Sequence, residues 1–99
     1  MFTSISVAEK IAKLLLDAHA VSLNPEHPYT WASGWHSPIY CDNRVTLSST
    51  EIRTQIADAL VDLIKEKFPQ VTAVSGVATG GIPQAALVAD RMHLPLSYI

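Results

Sequence analysis

The chain has 99 residues, 48% hydrophobic and 16% charged, with a formal net charge of −2. That length holds at most one small domain, and that composition supplies apolar surface for a packed core and excludes a disordered chain. The basic residues are few and scattered, so no positive field marks nucleic acid as the main partner.

One cysteine, Cys41, allows no internal disulfide and no cysteine-based metal centre, and a reducing cytoplasm is the simplest home. Ala18-His19-Ala20 has the small-x-small look of a signal cleavage site, but Glu9, Lys10 and Lys13 interrupt the apolar stretch before it. No run approaches a membrane span, so no membrane partner is expected.

In chain order, Ser6 and Glu9 read as a capping box, with Val7, Ile11, Leu14, Leu15 and Ala18 at helical spacing behind them. Asn24-Pro25 ends that region. From Tyr29 to Asp42 the pattern predicts two short extended segments joined near Ser33-Gly34-Trp35, with Pro38 unable to donate a ladder hydrogen bond. Ser48 and Glu51 open a second helix, whose stripe is Ile52, Ile56, Leu60, Leu63 and Ile64, and Phe68-Pro69 stops it. Val71 to Val77 suits a strand buried on both faces. A glycine turn, a helix with Pro83 in its first turn and a final strand, LPLSYI, complete one βαβ unit. Two parallel strands make a poor sheet, so the chain is expected to be the N-terminal part of a longer α/β domain.

Two stretches can carry chemistry. In Ala78-Thr79-Gly80-Gly81, main-chain N–H groups at a strand-to-helix turn suit a phosphate or diphosphate, and a plain tight turn is the competing reading. The Walker lysine and the full GxGxxG spacing are both missing. In TWASGWHSPIYCDNR, Trp31, Trp35 and Tyr40 offer platforms for a planar heterocycle, and Arg44 suits a carboxylate. The competing reading is an aromatic cover for the sheet, with Arg44 paired to Asp42 or a carbonyl. The four histidines have no metal-ligand spacing; His36, inside the aromatic stretch, is the one of interest. Cys41, Ser33, Ser37 and Ser75 lack the context of a nucleophile.

The pair YTWASGWHSPIYCDNR and SGVATGGIPQAALVADRMHLPLSYI resembles the N-terminal half of the orotate phosphoribosyltransferase family over essentially all of the 99 residues. The resemblance implies an α/β fold of the type I phosphoribosyltransferase kind: a parallel sheet with flanking helices and a small N-terminal hood, here truncated after the first βαβ unit. It divides the chain into hood and pyrimidine segment, about residues 1–48, and helix plus βαβ unit, about 49–99. It implies that Ser33, Gly34, Tyr40, Cys41 and Arg44 serve orotate, and that Ala78, Thr79, Gly80 and Gly81 hold the diphosphate of phosphoribosyl diphosphate. It further implies magnesium, a homodimer, pyrimidine biosynthesis in the cytoplasm, and no catalytic or metal-ligating residue of its own within residues 1–99. Many relatives carry lysine where this chain has Ala32 and Gly80, which leaves more of the anion binding to main-chain donors. The alternative reading is a regulatory module on the same fold that binds the ligand without turnover.

Overall fold

The structure, a computed structural model, describes residues 5–23, 26, 29–30, 36–37 and 39–99. Helix α1 spans Ile5–Asp17 and carries its apolar residues on one stripe, as the spacing predicts, yet none of its residues is fully buried. The expected Ser6 cap is displaced: the helix already includes Ile5, which puts Ser6 inside the first turn. At the other end His19 adopts the left-handed conformation at φ 59°. The His19 N–H donates to the Leu16 carbonyl at 3.0 Å and that of Ala20 to Leu15 at 2.9 Å, which is a Schellman closure made without glycine.

Behind it, strand β1 (Val21–Leu23) pairs antiparallel with β4 (Ile39–Cys41), in the register Val21 with Cys41 and Leu23 with Ile39. Strands β2 (Tyr29–Thr30) and β3 (His36–Ser37) form a second antiparallel pair. The Tyr29–Asp42 region therefore holds three short strands rather than two segments, because Ile39–Cys41 pairs back to β1, a strand too short to show a pattern. The predicted turn at Ser33-Gly34-Trp35, Asn24-Pro25 and Pro38 lie outside the described residues.

A 3-10 helix over Asn43–Ser48 leads into α2 (Thr50–Lys67). The cap is Ser49, whose hydroxyl accepts from the Ile52 N–H at 3.2 Å, while Ser48 donates to the Val45 carbonyl at 2.8 Å inside the 3-10 turn. The expected cap at Ser48 is thus off by one residue, because the preceding 3-10 helix uses its hydroxyl. Phe68 closes α2 with its N–H on the Ile64 carbonyl at 2.7 Å, and Pro69 follows. Between α1 and α2 runs an apolar groove of about 310 Å³, lined by residues that include Val7, Ile11, Leu15, Ile56, Leu60 and Leu63.

The βαβ unit forms as predicted: β5 (Val74–Gly76) lies parallel to β6 (Leu96–Tyr98), with α3 (Ile82–Met92) between them in sequence. Helix α3 ends like α1, with His93 at φ 55° and the Leu94 N–H on the Ala89 carbonyl at 3.0 Å. Helix α3 packs on β5 and against α2, where Arg91 Nε reaches Asp58 Oδ1 at 3.0 Å. Among the described residues the buried apolar ones are small: Ala20, Ala57, Val61, Ala85, Val88 and Ala89. One expectation fails here. The strand is three residues long with Ser75 exposed, and Val77 is 68% exposed. Burial on both faces needs a second helical layer, and the described residues put α3 on one side only.

Candidate functional site

The turn between β5 and α3 is shaped by close backbone packing. A Cβ at Gly76 would stand 2.8 Å from Ala85 Cβ and 2.8 Å from the Gly81 carbonyl oxygen, so only glycine lets α3 come this near the strand. A Cβ at Gly81 would meet the Val77 carbonyl oxygen at 2.9 Å. Gly80 is different: a Cβ there meets nothing within 4 Å, and its φ is not in the left-handed range. A bare position at Gly80 is therefore not a requirement of the fold.

Anchors at both ends hold the turn. The Ala78 N–H donates to the Ile99 carbonyl at 2.8 Å, and that of Gly81 to Val77 at 2.8 Å. The Ile82 N–H reaches the Thr79 carbonyl at 3.2 Å, and Pro83 has no N–H to satisfy. The Ala78–Thr79 peptide is cis. The N–H groups of Thr79 and Gly80 make no hydrogen bond to a described residue, and no side chain caps α3. Open main-chain donors in a turn that leads into a helix suit an anion.

Facing the turn is the segment that follows β4. Asp42 accepts from Arg44 three times: from the backbone N–H at 3.1 Å and from Nε at 2.8 Å on Oδ1, and from Nη2 at 2.9 Å on Oδ2. The Arg44 side-chain hydrogen bond holds the Asp42 carboxyl below its ordinary value of 3.8, partly opposed by desolvation. Cys41 is exposed, and its thiol donates to Asn43 Oδ1 at 3.2 Å. Thr46 is fully buried and donates to the Asn43 carbonyl at 2.7 Å, pinning the 3-10 turn. Arg53 Nη1 ties the Leu47 carbonyl to α2 at 3.0 Å.

These two segments, about forty positions apart in sequence, line one cleft of about 560 Å³. Cys41, Asp42, Asn43, Arg44 and Leu47 form one wall; Gly80, Gly81 and Gln84 form the other. Of the residues the sequence singled out, Cys41, Arg44, Gly80 and Gly81 line the cleft directly. Ala78 and Thr79 precede them in the turn, and Tyr40 sits in β4 opposite Ser22. Ser33 and Gly34, with Trp31, Ala32 and Trp35, lie outside the described residues; His36 is exposed in β3. The sequence reading missed Gln84, although an amide in the first turn of the otherwise apolar IPQAALVA run was a visible signal.

No family model matches the chain. Among curated proteins, an orotate phosphoribosyltransferase of Enterococcus faecalis is 59% identical over 93 residues, covering 94% of this chain and 44% of the relative. One of Cytophaga hutchinsonii is 53% identical over 95 residues, covering 96% of this chain and 46% of its own length. Among solved structures, the orotate phosphoribosyltransferase of Aeropyrum pernix superposes with a TM-score of 0.74 at 34% identity, over 90% of this chain and 52% of that one. The resemblance read from the sequence thus holds in sequence and in fold over nearly all of the chain. The chain spans about half the length of the curated relatives it matches.

Proposed function

We propose that this chain is the substrate-cradling part of an orotate phosphoribosyltransferase, residues 1–48 supplying hood and pyrimidine segment and residues 49–99 the diphosphate turn on its βαβ unit. The reaction moves ribosyl phosphate from phosphoribosyl diphosphate to the ring nitrogen of orotate, giving orotidine monophosphate and diphosphate on the way to UMP. The observation that carries the reading is the shared cleft, where the segment from Cys41 to Arg44 faces Gly80 and Gly81.

The chemistry needs no protein nucleophile. Negative charge grows on the departing diphosphate, and the open N–H groups of Thr79 and Gly80 are donors already held in place for it. Tyr40, Cys41 and Arg44 serve the pyrimidine end, with Ser33 and Gly34 assigned to it by family resemblance. Holding both substrates in one cleft supplies orientation. Magnesium belongs to the proposed reaction and would supply charge neutralisation on the diphosphate. Among the described residues no three His, Cys, Asp or Glu side chains cluster to hold a metal. A cytoplasmic homodimer completes the proposal; no described helix is long and apolar enough to cross a membrane.

The test is formation of orotidine monophosphate from orotate and phosphoribosyl diphosphate. The full-length enzyme is expected to turn over at about 1–1000 per second, and the 99-residue piece not at all. A full-length protein that leaves orotate untouched would overturn the reading.

A further inference from the structure

We propose that Gln84 is a specificity-determining residue, whose side-chain amide takes a neutral hydrogen-bond donor of the bound substrates where the two ends of the cleft meet. The inference rests on the proposed reading of that cleft and adds to it a residue to which the sequence reading assigned no role. Gln84 stands in the first turn of α3 and lines the cleft together with Gly80 and Gly81 on its own side and Cys41 to Arg44 opposite. Its Oε1 is shielded from solvent and has no hydrogen-bond partner, and no other side-chain nitrogen or oxygen of a non-exposed described residue is in that condition. Its amide makes no hydrogen bond to a described residue. An acceptor buried without a partner is unfavourable, and a methionine would fill similar space without that defect. The unused acceptor is therefore capacity that a donor from a bound substrate can fill. The terminal torsion of a glutamine is broad, so turning the amide toward the cleft is easy.

The chemistry of the donor follows from what an acceptor can meet. Diphosphate at neutral pH presents only acceptor oxygens, so it cannot satisfy Gln84 Oε1, and the main-chain N–H groups of Thr79 and Gly80 are its partners. The remaining donors on the proposed substrates are the ring N–H of orotate and the ribose hydroxyls of phosphoribosyl diphosphate. Both offer a neutral donor beside an acceptor, which an amide matches with its carbonyl and its NH₂.

Gln84→Met and Gln84→Leu in the full-length enzyme test this, with KM for each substrate measured beside Tm. The expected result is a rise of about 5- to 150-fold in one KM, as a ligand donor loses its partner, with Tm unchanged or higher. A rise for orotate identifies the ring N–H, and a rise for phosphoribosyl diphosphate identifies a ribose hydroxyl. Neither KM moving, or both moving together with a fall in Tm, would overturn the assignment and leave Gln84 a packing residue. If the parent enzyme used another base instead of orotate, the reading of the substrate would fall, while the same split measured on that base would still decide Gln84.

Discussion

The two walls of the cleft are held in place by different forces. On the glycine wall, position is set by hard contact between backbones: Gly76 lets α3 lie on β5, and Gly81 sits against the Val77 carbonyl. On the opposite wall, position is set by polar contacts among near neighbours, the Asp42–Arg44 pair, the Cys41–Asn43 bond and the Thr46 hydroxyl on Asn43. Steric contacts are short-ranged and stiff, and they fail abruptly when an atom is added. Polar contacts at a partly exposed surface add little stability but fix the direction of side chains. A diphosphate that must be met by several main-chain donors at once suits the stiff wall. A flat ring that is read by side chains suits the adaptable one.

If that contrast is right, the largest effect comes from filling the stiff wall where it is tightest. Gly76→Val should destabilise the protein by about 1–3 kcal/mol or more, since its branches would meet backbone as well as Ala85. Chemical denaturation reads this directly, and an unchanged midpoint would mean that α3 can retreat from β5 at no cost.

One residue before the adaptable wall, Tyr40→Ala should raise KM for orotate about 5- to 150-fold while KM for phosphoribosyl diphosphate stays nearly constant, by analogy with base–aromatic contacts. If instead the mutant loses folded protein and its folded fraction handles orotate normally, this residue holds the fold and not the ring.

Gly80→Val sharpens the contrast within one turn. The fold has room for the side chain, so stability should stay within about 0.5 kcal/mol of the parent. Branches beside the open N–H groups should still lower affinity for phosphoribosyl diphosphate about tenfold, equivalent to about 1.4 kcal/mol. Calorimetric titration separates the two quantities. Full affinity in the folded variant would make this an ordinary turn.

The smallest effect concerns acid. Because Asp42 has its carboxyl lowered below 3.8 by Arg44, the contribution of this pair is complete above the unfolded value and is lost as pH falls through the lower folded value. Between pH 5 and 8 the clasp should therefore not change. The Asp42 carboxyl resonance should titrate below 3.8, and Arg44→Ala should return it upward. A midpoint in the parent at or above that value would mean the pair is not formed in solution.

How much of this was legible beforehand follows the range of the interactions. The βαβ unit was readable because strand, glycine turn and helix each carry their own local pattern. The cleft was readable as two separate motifs through family resemblance, but their meeting depends on α2, the 3-10 helix over Asn43–Ser48 and strand pairings that no local pattern encodes. The β1–β4 pairing was invisible since three residues are too few to show a period. Glycine roles were only half legible. Composition cannot say which glycine is crowded; Gly76, unremarked in the sequence, is hemmed in by Ala85 from nine positions on, whereas Gly80, singled out, is free. The helix ends carry no glycine to mark them: His19 and His93 occupy left-handed positions where a reader looks for glycine.

The vacant space at Gly80 has an evolutionary consequence. A chain with a lysine at this place and a chain that carries none need not differ in backbone there, because a Cβ at Gly80 meets nothing within 4 Å. The choice between grasping an anion with a charged arm and grasping it with main-chain donors alone is then separable from the choice of architecture. One codon can exchange the first solution for the second, and a lineage can drift between them without passing through an unfolded ancestor.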